Sequence, residues 1–320
     1  MKTHYPPTFL LFLFFFTSIQ LHGQKVVNAL SYEEGTITYA DGISLPKTPF
    51  GYTLILPDSA DPKGLLVFFH AQSPEAPLDS IAQFAIDKNM GVLYLATNNR
   101  LEFFFEKEKM AEVASYLKTV VGDYPATRLN LLFAGMSLEG TRALKLTHFL
   151  KEHPKYKVHP KAIVICDAPL DMIRFYKEAK RAGELNFQEA AANEGRWVSA
   201  YLENNLGTPD KNRAAYRSYS PYCYDQPENE YLNYLDDVYI RAYTEPDVDW
   251  WMETRRKSYY GMNALDLAAL INELNIRGNE NARLVNTQNK GYRPDGSRHP
   301  HSWSIVDDKE VVEWFTGMVE

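Results

Sequence analysis

Short apolar runs that alternate with amphipathic stretches constrain the fold of this chain more than any other feature. The runs are apolar at nearly every position, as expected for strands buried on both faces of a parallel sheet. Between them, residues 111–121 and 264–274 carry apolar side chains at helical spacing. This alternation predicts an α/β fold with a mostly parallel central sheet flanked by helices. The runs are GLLVFFH, GVLYLAT, LNLLFAG, KAIVICD, DVYIRAY and ARLVN.

The composition fits one large domain and gives little support for a nucleic-acid partner. The chain has 320 residues, of which 45% are hydrophobic, and this is enough to bury a deep core. Its formal net charge is -7. The charges form no basic stripe, so we expect no binding to nucleic acid. The composition does not indicate an oligomeric state.

The N-terminus has the order of features that is typical of a secretory signal peptide. Lys2 precedes an apolar run over residues 9–16, and the polar stretch TSIQLHGQ follows. The run is much shorter than the roughly 20 apolar residues that a membrane-spanning helix needs, so we expect no stable membrane insertion. We predict a signal peptide over 1–23, a folded domain over 24–320, and a secreted or periplasmic protein.

A polar, tyrosine-rich segment interrupts the alternation between residues 172 and 236. It contains no buried strand pattern, and we interpret it as a helical or irregular lid-like insertion that covers one end of the sheet. Two hypotheses remain open at this point. The insertion either decorates the surface or lines a substrate pocket.

The two cysteines do not predict a metal site. Cys166 lies in the apolar run AIVICD, where a buried free thiol is expected, and a disulfide with Cys223 is the less favoured alternative. No cysteine and histidine have the short spacing of a zinc site. We expect neither a metal nor an organic cofactor.

The stretch LLFAGMSLEG contains the candidate nucleophile. An apolar strand ends near Gly135, Ser137 follows, and a helical pattern begins almost at once. A serine on such a turn exposes its hydroxyl above the sheet edge, and the N–H of Leu138 at the helix N-terminus can stabilise negative charge. A serine that merely caps the helix is the alternative.

This stretch resembles the nucleophile turn of the α/β-hydrolase superfamily, and the resemblance covers the chain after the predicted signal peptide. The family pattern glycine–any–serine–any–glycine is matched at Gly135 and Ser137, but Glu139 replaces the last glycine. The resemblance implies an α/β-hydrolase fold and a catalytic triad in the chain order serine, acid, histidine. The departure at Glu139 bears on the geometry of the turn and the competence of the serine.

The triad acid is expected after the run DVYIRAY. By resemblance, it stands three residues after the small residue that closes this strand, which points to Asp247 when counted from Thr244. Asp249 is the alternative. Both carboxylates also fit solvated loop charges or helix caps, which is how most such acids behave.

The remaining site residues are also assigned by resemblance. His301 directly precedes the terminal amphipathic helix, where the family has its base, whereas His299 is separated from it by a proline and is expected to point elsewhere. The backbone N–H groups of Leu138 and Gln72 would form the oxyanion hole. Ala71 stands in the loop of Gln72 where the family has glycine.

Together these features predict a secreted serine hydrolase that cleaves a carboxylic ester, or a short peptide or amide, through an acyl-enzyme. Ser137 would attack, His301 would transfer the proton, and Asp247 would orient the imidazole. The alternative is a catalytically inactive binding module with the same fold, because a fold alone does not fix a function. The sequence does not select a substrate.

Overall fold

A nine-stranded mixed sheet forms the centre of the molecule. The computed structural model describes residues 17–21, 24–39, 44–58, 61–226 and 230–319. The strand order is β1-β2-β5-β7-β6-β8-β9-β10-β11; the last six strands in this order are parallel, and β1, β2 and β5 join antiparallel. The strands are β1 (Thr17–Leu21), β2 (Gln24–Ser31), β5 (Phe50–Pro57), β6 (Leu65–Phe68), β7 (Gly91–Ala96), β8 (Leu131–Met136), β9 (Ala162–Cys166), β10 (Tyr239–Thr244) and β11 (Ala282–Asn286), with a separate hairpin of β3 (Thr36–Thr38) and β4 (Ser44–Pro46).

Helices cover both faces of this sheet, because its central strands are apolar on both sides. Apolar side chains of α2, α3 and α8 pack on one face, and those of α1 and α9 pack on the other. The mostly parallel sheet flanked by helices is therefore confirmed. The helices are α1 (Ser80–Asp87), α2 (Lys107–Asp123), α3 (Leu138–Glu152), α4 (Met172–Leu185), α5 (Glu189–Leu206), α6 (Arg213–Tyr219), α7 (Val248–Arg255), α8 (Asn263–Ile276) and α9 (Asp308–Val319).

The predicted signal peptide lies only partly within the described residues. Residues 17–21 form β1, an edge strand that pairs with β2, while 1–16 and 22–23 lie outside the described residues. Removal of 1–23 would leave β2 as the edge of the sheet, so cleavage is compatible with the rest of the fold and stays a prediction. No described helix is long and apolar enough to cross a membrane.

The tyrosine-rich segment between β9 and β10 is mainly helical and has its own apolar cluster. Helices α4 and α5 pack against each other, and α6 joins them through aromatic contacts. The backbones of α4 and α5 approach closely where the helices cross, because a side chain at Gly195 would come within 2.3 Å of the Ala179 carbonyl oxygen.

Cys166 and Cys223 are both buried free thiols, as favoured from the sequence.

A buried ion pair ties this helical segment to α8. The guanidinium of Arg174 on α4 binds both carboxylate oxygens of Asp266, at 2.5 and 2.7 Å. The Asp266 carboxylate is only 2% exposed and also accepts hydrogen bonds from the N–H groups of Leu170 and Asp171. Loss of this carboxylate would leave a nearly buried guanidinium and two N–H groups without their acceptor.

We therefore expect Asp266→Ala to lower the free energy of unfolding by about 3–5 kcal/mol, as for other broken buried pairs. Asp237→Ala is the matched control, because this carboxylate also pairs with a basic side chain, that of Lys151, but is 72% exposed. Its removal should change stability by less than about 1 kcal/mol. Urea unfolding followed by circular dichroism measures both, and equal effects would contradict the structural role of Asp266.

Candidate active site

The candidate site lies at the carboxyl edge of the parallel strands. Met136 and Cys166 are register partners at the ends of β8 and β9, so the residues that follow them, Ser137 and Asp167, emerge side by side. His301 reaches the same edge from the segment between β11 and α9. Ser137, Asp167 and His301 all line one cleft. Three distant parts of the chain therefore meet here.

Ser137 occupies a strained turn between β8 and α3. Its φ of 54° lies in the left-handed region, which is uncommon for a residue other than glycine. The Ser137 N–H donates to the Cys166 carbonyl at 2.8 Å and ties the turn to β9. Because Leu138 is the first residue of α3, its N–H has no acceptor within the helix.

The carboxylate that binds the His301 imidazole belongs to Asp167. The distance from His301 Nδ1 to Asp167 Oδ2 is 2.6 Å. Asp167 is only 7% exposed. Two hydrogen bonds hold its backbone: its N–H donates to the Tyr243 carbonyl at 2.9 Å, and the Asn263 side-chain amide donates to the Asp167 carbonyl at 2.8 Å. An ionised carboxylate only accepts hydrogen bonds, so Nδ1 carries the proton and Nε2 is left as the basic nitrogen.

Asp247, expected from the sequence as the partner of His301, binds elsewhere. Its Oδ2 accepts from Arg298 Nη2 at 2.6 Å, and its Oδ1 accepts from the Trp250 N–H at the start of α7. The alternative, Asp249, is an exposed residue in the first turn of α7. The structure therefore replaces the expected Asp247–His301 pair by Asp167–His301, because Arg298 and the helix N-terminus occupy the Asp247 carboxylate.

Glu245 completes the group around Arg298. Its carboxylate lies 2.5 Å from Arg298 Nη2 and accepts from the Thr287 hydroxyl at 2.8 Å and from the Lys290 N–H at 3.0 Å. Burial raises the pKa of Glu245, but these hydrogen bonds outweigh it and hold the pKa below its ordinary value. The acids after β10 thus fasten the segment that leads to His301.

His299 lines the same cleft, although the sequence suggested that it points elsewhere. Its Nδ1 lies 2.9 Å from the His301 carbonyl oxygen, and its ring packs edge-on against Trp250 with 5.1 Å between ring centroids. Burial lowers the pKa of His299 to about 4, so the imidazole is neutral near pH 7. A neutral ring that donates from Nδ1 to a carbonyl supports the backbone at His301.

The loop after β6 carries Gln72 and approaches the serine turn. The buried Thr53 hydroxyl donates to the Gln72 carbonyl at 2.7 Å and fixes the orientation of this peptide. Ala71 precedes it where the family pattern has glycine. The pairing of the Gln72 and Leu138 N–H groups as an oxyanion hole stays a prediction.

Glu139 binds the loop after β6, whereas the sequence raised the question of whether it distorts the serine turn. Its Oε2 lies 3.1 Å from His70 Nδ1. Burial lowers the pKa of His70, but the hydrogen bond and charge of Glu139 outweigh it and raise that pKa above its ordinary value. The room for Glu139 is provided by Gly135, since a side chain at Gly135 would come within 2.5 Å of the Glu139 carbonyl carbon.

Arg142, one turn further along α3, also holds this region and was not found from the sequence. Its guanidinium is buried and donates to the carbonyls of Phe69 at 2.8 Å, Glu102 at 2.7 Å and Arg100 at 2.7 Å. Burial lowers the pKa of this guanidinium, although nearby acids oppose the effect. Helix α3 therefore fixes both the loop after β6 and the loop after β7.

Asp167 was missed from the sequence although its signal was present. The run KAIVICD ends in an acid directly after a buried strand, and this strand proves to be the neighbour of the serine strand.

Helices α4 and α5 form the opposite wall of the cleft, so the inserted segment lines a pocket. The side chains that line the cleft from this wall and from the α7–α8 region include Phe175, Glu178, Glu194, Trp251, Arg255 and Lys257.

Comparison with known proteins supports the fold. No family model and no curated protein matches the sequence. Among solved structures, an acetyl xylan esterase from Paenibacillus sp. R4 aligns with a TM-score of 0.52 at 13% identity, covering 95% of this chain and 87% of that one. A fungal esterase from Rhizomucor miehei aligns with a TM-score of 0.50 at 12% identity, covering 90% of this chain and 82% of that one.

A puromycin hydrolase aligns with a TM-score of 0.51 at 14% identity over 91% of this chain, which spans only 39% of that protein. The chain likewise spans 40% of an acylaminoacyl peptidase from Pyrococcus horikoshii. At such identities the likeness concerns the fold alone. Together with the strand order and the serine turn, it shows that this chain has the fold of the α/β-hydrolase superfamily.

Proposed function

We propose that this protein is a serine hydrolase that cleaves a carboxylic ester by acyl transfer, with Ser137, His301 and Asp167 as its triad. The observation that carries the proposal is the 2.6 Å contact between His301 Nδ1 and Asp167 Oδ2, at the sheet edge where Ser137 sits on its strained turn. This contact supplies an oriented base that lines the same cleft as the candidate nucleophile. The fold alone would not support the proposal.

The proposed reaction follows from the protonation state of His301. With Nδ1 donating to Asp167, Nε2 accepts the hydroxyl proton of Ser137 as the oxygen attacks the ester carbonyl carbon. The tetrahedral intermediate then expels the alcohol, which takes the proton from Nε2. Water attacks the resulting acyl-enzyme with His301 again as base, and the acid is released. Asp167 stabilises the imidazolium that forms in each half.

The negative charge on the carbonyl oxygen needs donors at the cleft. We assign this role to the N–H of Leu138, which opens α3, and to the N–H of Gln72. A single donor of this kind can contribute two to three orders of magnitude in rate, by comparison with other hydrolases. The contacts of Glu139 with His70 and of Arg142 with the Phe69 carbonyl support the loop that carries Gln72.

An ester is favoured over a peptide as substrate, because two of the three solved structures described above with a TM-score of at least 0.50 are named as esterases. A short peptide or amide stays the alternative within the same chemistry. We also keep the proposal that the protein is exported, to the periplasm or out of the cell, on the strength of the predicted signal peptide over 1–23. No partner other than the small-molecule substrate is proposed.

A fluorophosphonate probe tests the nucleophile directly. We expect the probe to label the wild-type protein and not Ser137→Ala, because the probe forms a covalent bond only with an activated serine. Circular dichroism and thermal unfolding should show that the variant is folded. No labelling of the folded wild-type protein would contradict the hydrolase and would favour an inactive binding module.

The choice of acid is tested by Asp167→Asn against Asp247→Asn. The amide in place of Asp167 favours the wrong imidazole tautomer, and such a change lowers kcat by about 10⁴-fold in a serine protease. We expect a loss of that order for Asp167→Asn with an aryl acetate substrate. Asp247→Asn should retain activity within about tenfold, since it loses only one charged contact with Arg298. The reverse order of effects would restore Asp247 as the triad acid.

The variant Glu139→Ala tests whether the acid next to the proposed nucleophile supports or inhibits the reaction. We expect Glu139→Ala to lower kcat about tenfold with little change in KM, because a charge-assisted hydrogen bond to the loop after β6 is lost. Glu152→Ala, at the exposed far end of the same helix, is the matched control. A higher kcat or faster probe labelling of Glu139→Ala would show that this carboxylate opposes the oxyanion.

A further inference from the structure

Lys257 places an ammonium group on the wall of the cleft that contains Ser137. The residue lies between α7 and α8, where its N–H donates to the Trp251 carbonyl at 3.1 Å. The same stretch of chain is held from α4, because Arg181 donates to the Arg256 carbonyl at 2.8 Å. Lys257 Nζ lies over the Trp251 ring, 4.9 Å from its centroid. The position of the ammonium is thus set by contacts with two helices.

In the part of the chain that the structure describes, this ammonium has no carboxylate as a direct partner. Among the residues that the structure describes, no carboxylate oxygen lies within 4.0 Å of Lys257 Nζ. Burial lowers the pKa of Lys257, and the more distant charges of Glu178, Glu194 and Asp167 only partly oppose this effect. An ammonium in such surroundings is unfavourable unless an anion or water supplies the missing acceptors.

The acids of the cleft have other partners or face solvent. Asp167 binds His301 at 2.6 Å, and Glu245 binds Arg298 at 2.5 Å. Glu178 is 11% exposed and lies 3.9 Å from Arg181 on its own helix, while Glu194 is exposed. Lys257 therefore remains a cation that can bind an anion entering from solvent.

A second cation strengthens the positive character of this wall. Arg255 also lines the cleft, and its guanidinium donates to the Gln188 side chain, which is a neutral acceptor. In the described part of the chain, no carboxylate oxygen lies within 4.0 Å of the Arg255 guanidinium, so no acid directly compensates its positive charge. An anionic group that enters this part of the cleft would thus meet two cations among the lining side chains, Arg255 and Lys257.

We propose that the cleft selects esters that carry a carboxylate close to the reacting carbonyl, and that Lys257 is the specificity-determining residue that binds this carboxylate. The inference rests on the proposed hydrolase function and deepens it. The charge can belong to the acyl part or to the alcohol part of the ester. In either case the carboxylate gains a charge-assisted hydrogen bond from Nζ, while Ser137 attacks the ester carbonyl.

Two pairs of substrates of equal shape test this preference and distinguish the two parts of the ester. For the alcohol part, 4-acetoxybenzoate is compared with 4-acetoxybenzamide. For the acyl part, 4-nitrophenyl hemiglutarate is compared with its primary amide. The wild-type protein, Lys257→Met and Lys118→Met are assayed on all four at constant ionic strength. Lys118 is an exposed lysine on α2 and serves as the control for loss of one positive charge.

We expect the wild-type protein to prefer the carboxylate in one pair at least tenfold in kcat/KM, which is the size of one charge-assisted hydrogen bond. Lys257→Met should abolish this preference by raising KM for the carboxylate substrate, with the amide changed less than about twofold. Lys118→Met should behave as wild type. No preference in the wild-type protein, or equal losses on carboxylate and amide, would overturn the proposal.

A binding measurement keeps this inference separate from the proposed reaction. Ser137→Ala, with and without Lys257→Met, is titrated by calorimetry with 4-acetamidobenzoate and with 4-acetamidobenzamide. Tighter binding of the carboxylate that disappears with Lys257→Met supports the anion site even in a protein that hydrolyses no ester. Equal binding of the two compounds would overturn the anion site even if the fluorophosphonate probe labels Ser137.

Discussion

The close packing of α3 against β8 and β9 is the constraint on which the rest of the site depends. A side chain at Gly140 would come within 2.7 Å of the Ala168 Cβ, and one at Gly135 would come within 2.5 Å of the Glu139 backbone. Two glycines therefore let the helix start directly above the strand. The chain enters it through Ser137, whose φ is 54°. The position of Ser137 at the cleft follows from this crossing.

The same helix also organises the loops around the serine. Glu139 and Arg142 lie one turn apart on α3, and they bind the His70 side chain and the Phe69 carbonyl of one loop. Arg142 reaches two further carbonyls after β7, so one buried guanidinium satisfies three acceptors. Polar groups that would be unfavourable in a core thus link the serine turn to the loop that carries Gln72. The departure from the family pattern at Glu139 is thus compatible with an intact turn.

Local patterns in the sequence predicted the sheet and the serine turn, and the family resemblance predicted the placement of His301. Continuous apolar runs identify buried strands, and a glycine before Ser137 identifies a tight turn. The carboxylate that binds His301 was missed because its position depends on which strands are neighbours. The order β8-β9-β10 places Asp167 beside Ser137, and single-sequence patterns carry no record of strand order. Contacts such as Glu139 with His70, 69 residues apart, are equally long-range.

The acids after β10 and the acid after β9 bind different partners, although the resemblance had assigned the His301 imidazole to an acid after β10. Arg298 forms ion pairs with Glu245 and Asp247, and it also donates to the Gly291 carbonyl at 2.6 Å. These contacts fix the position of the segment that precedes His301. Asp167, on a different strand, then meets an imidazole whose backbone is already fixed. A single acid in both positions would be shared between a permanent cation and a histidine whose charge changes in the proposed reaction. Separate acids leave the Asp167–His301 contact free to respond to that proposed change.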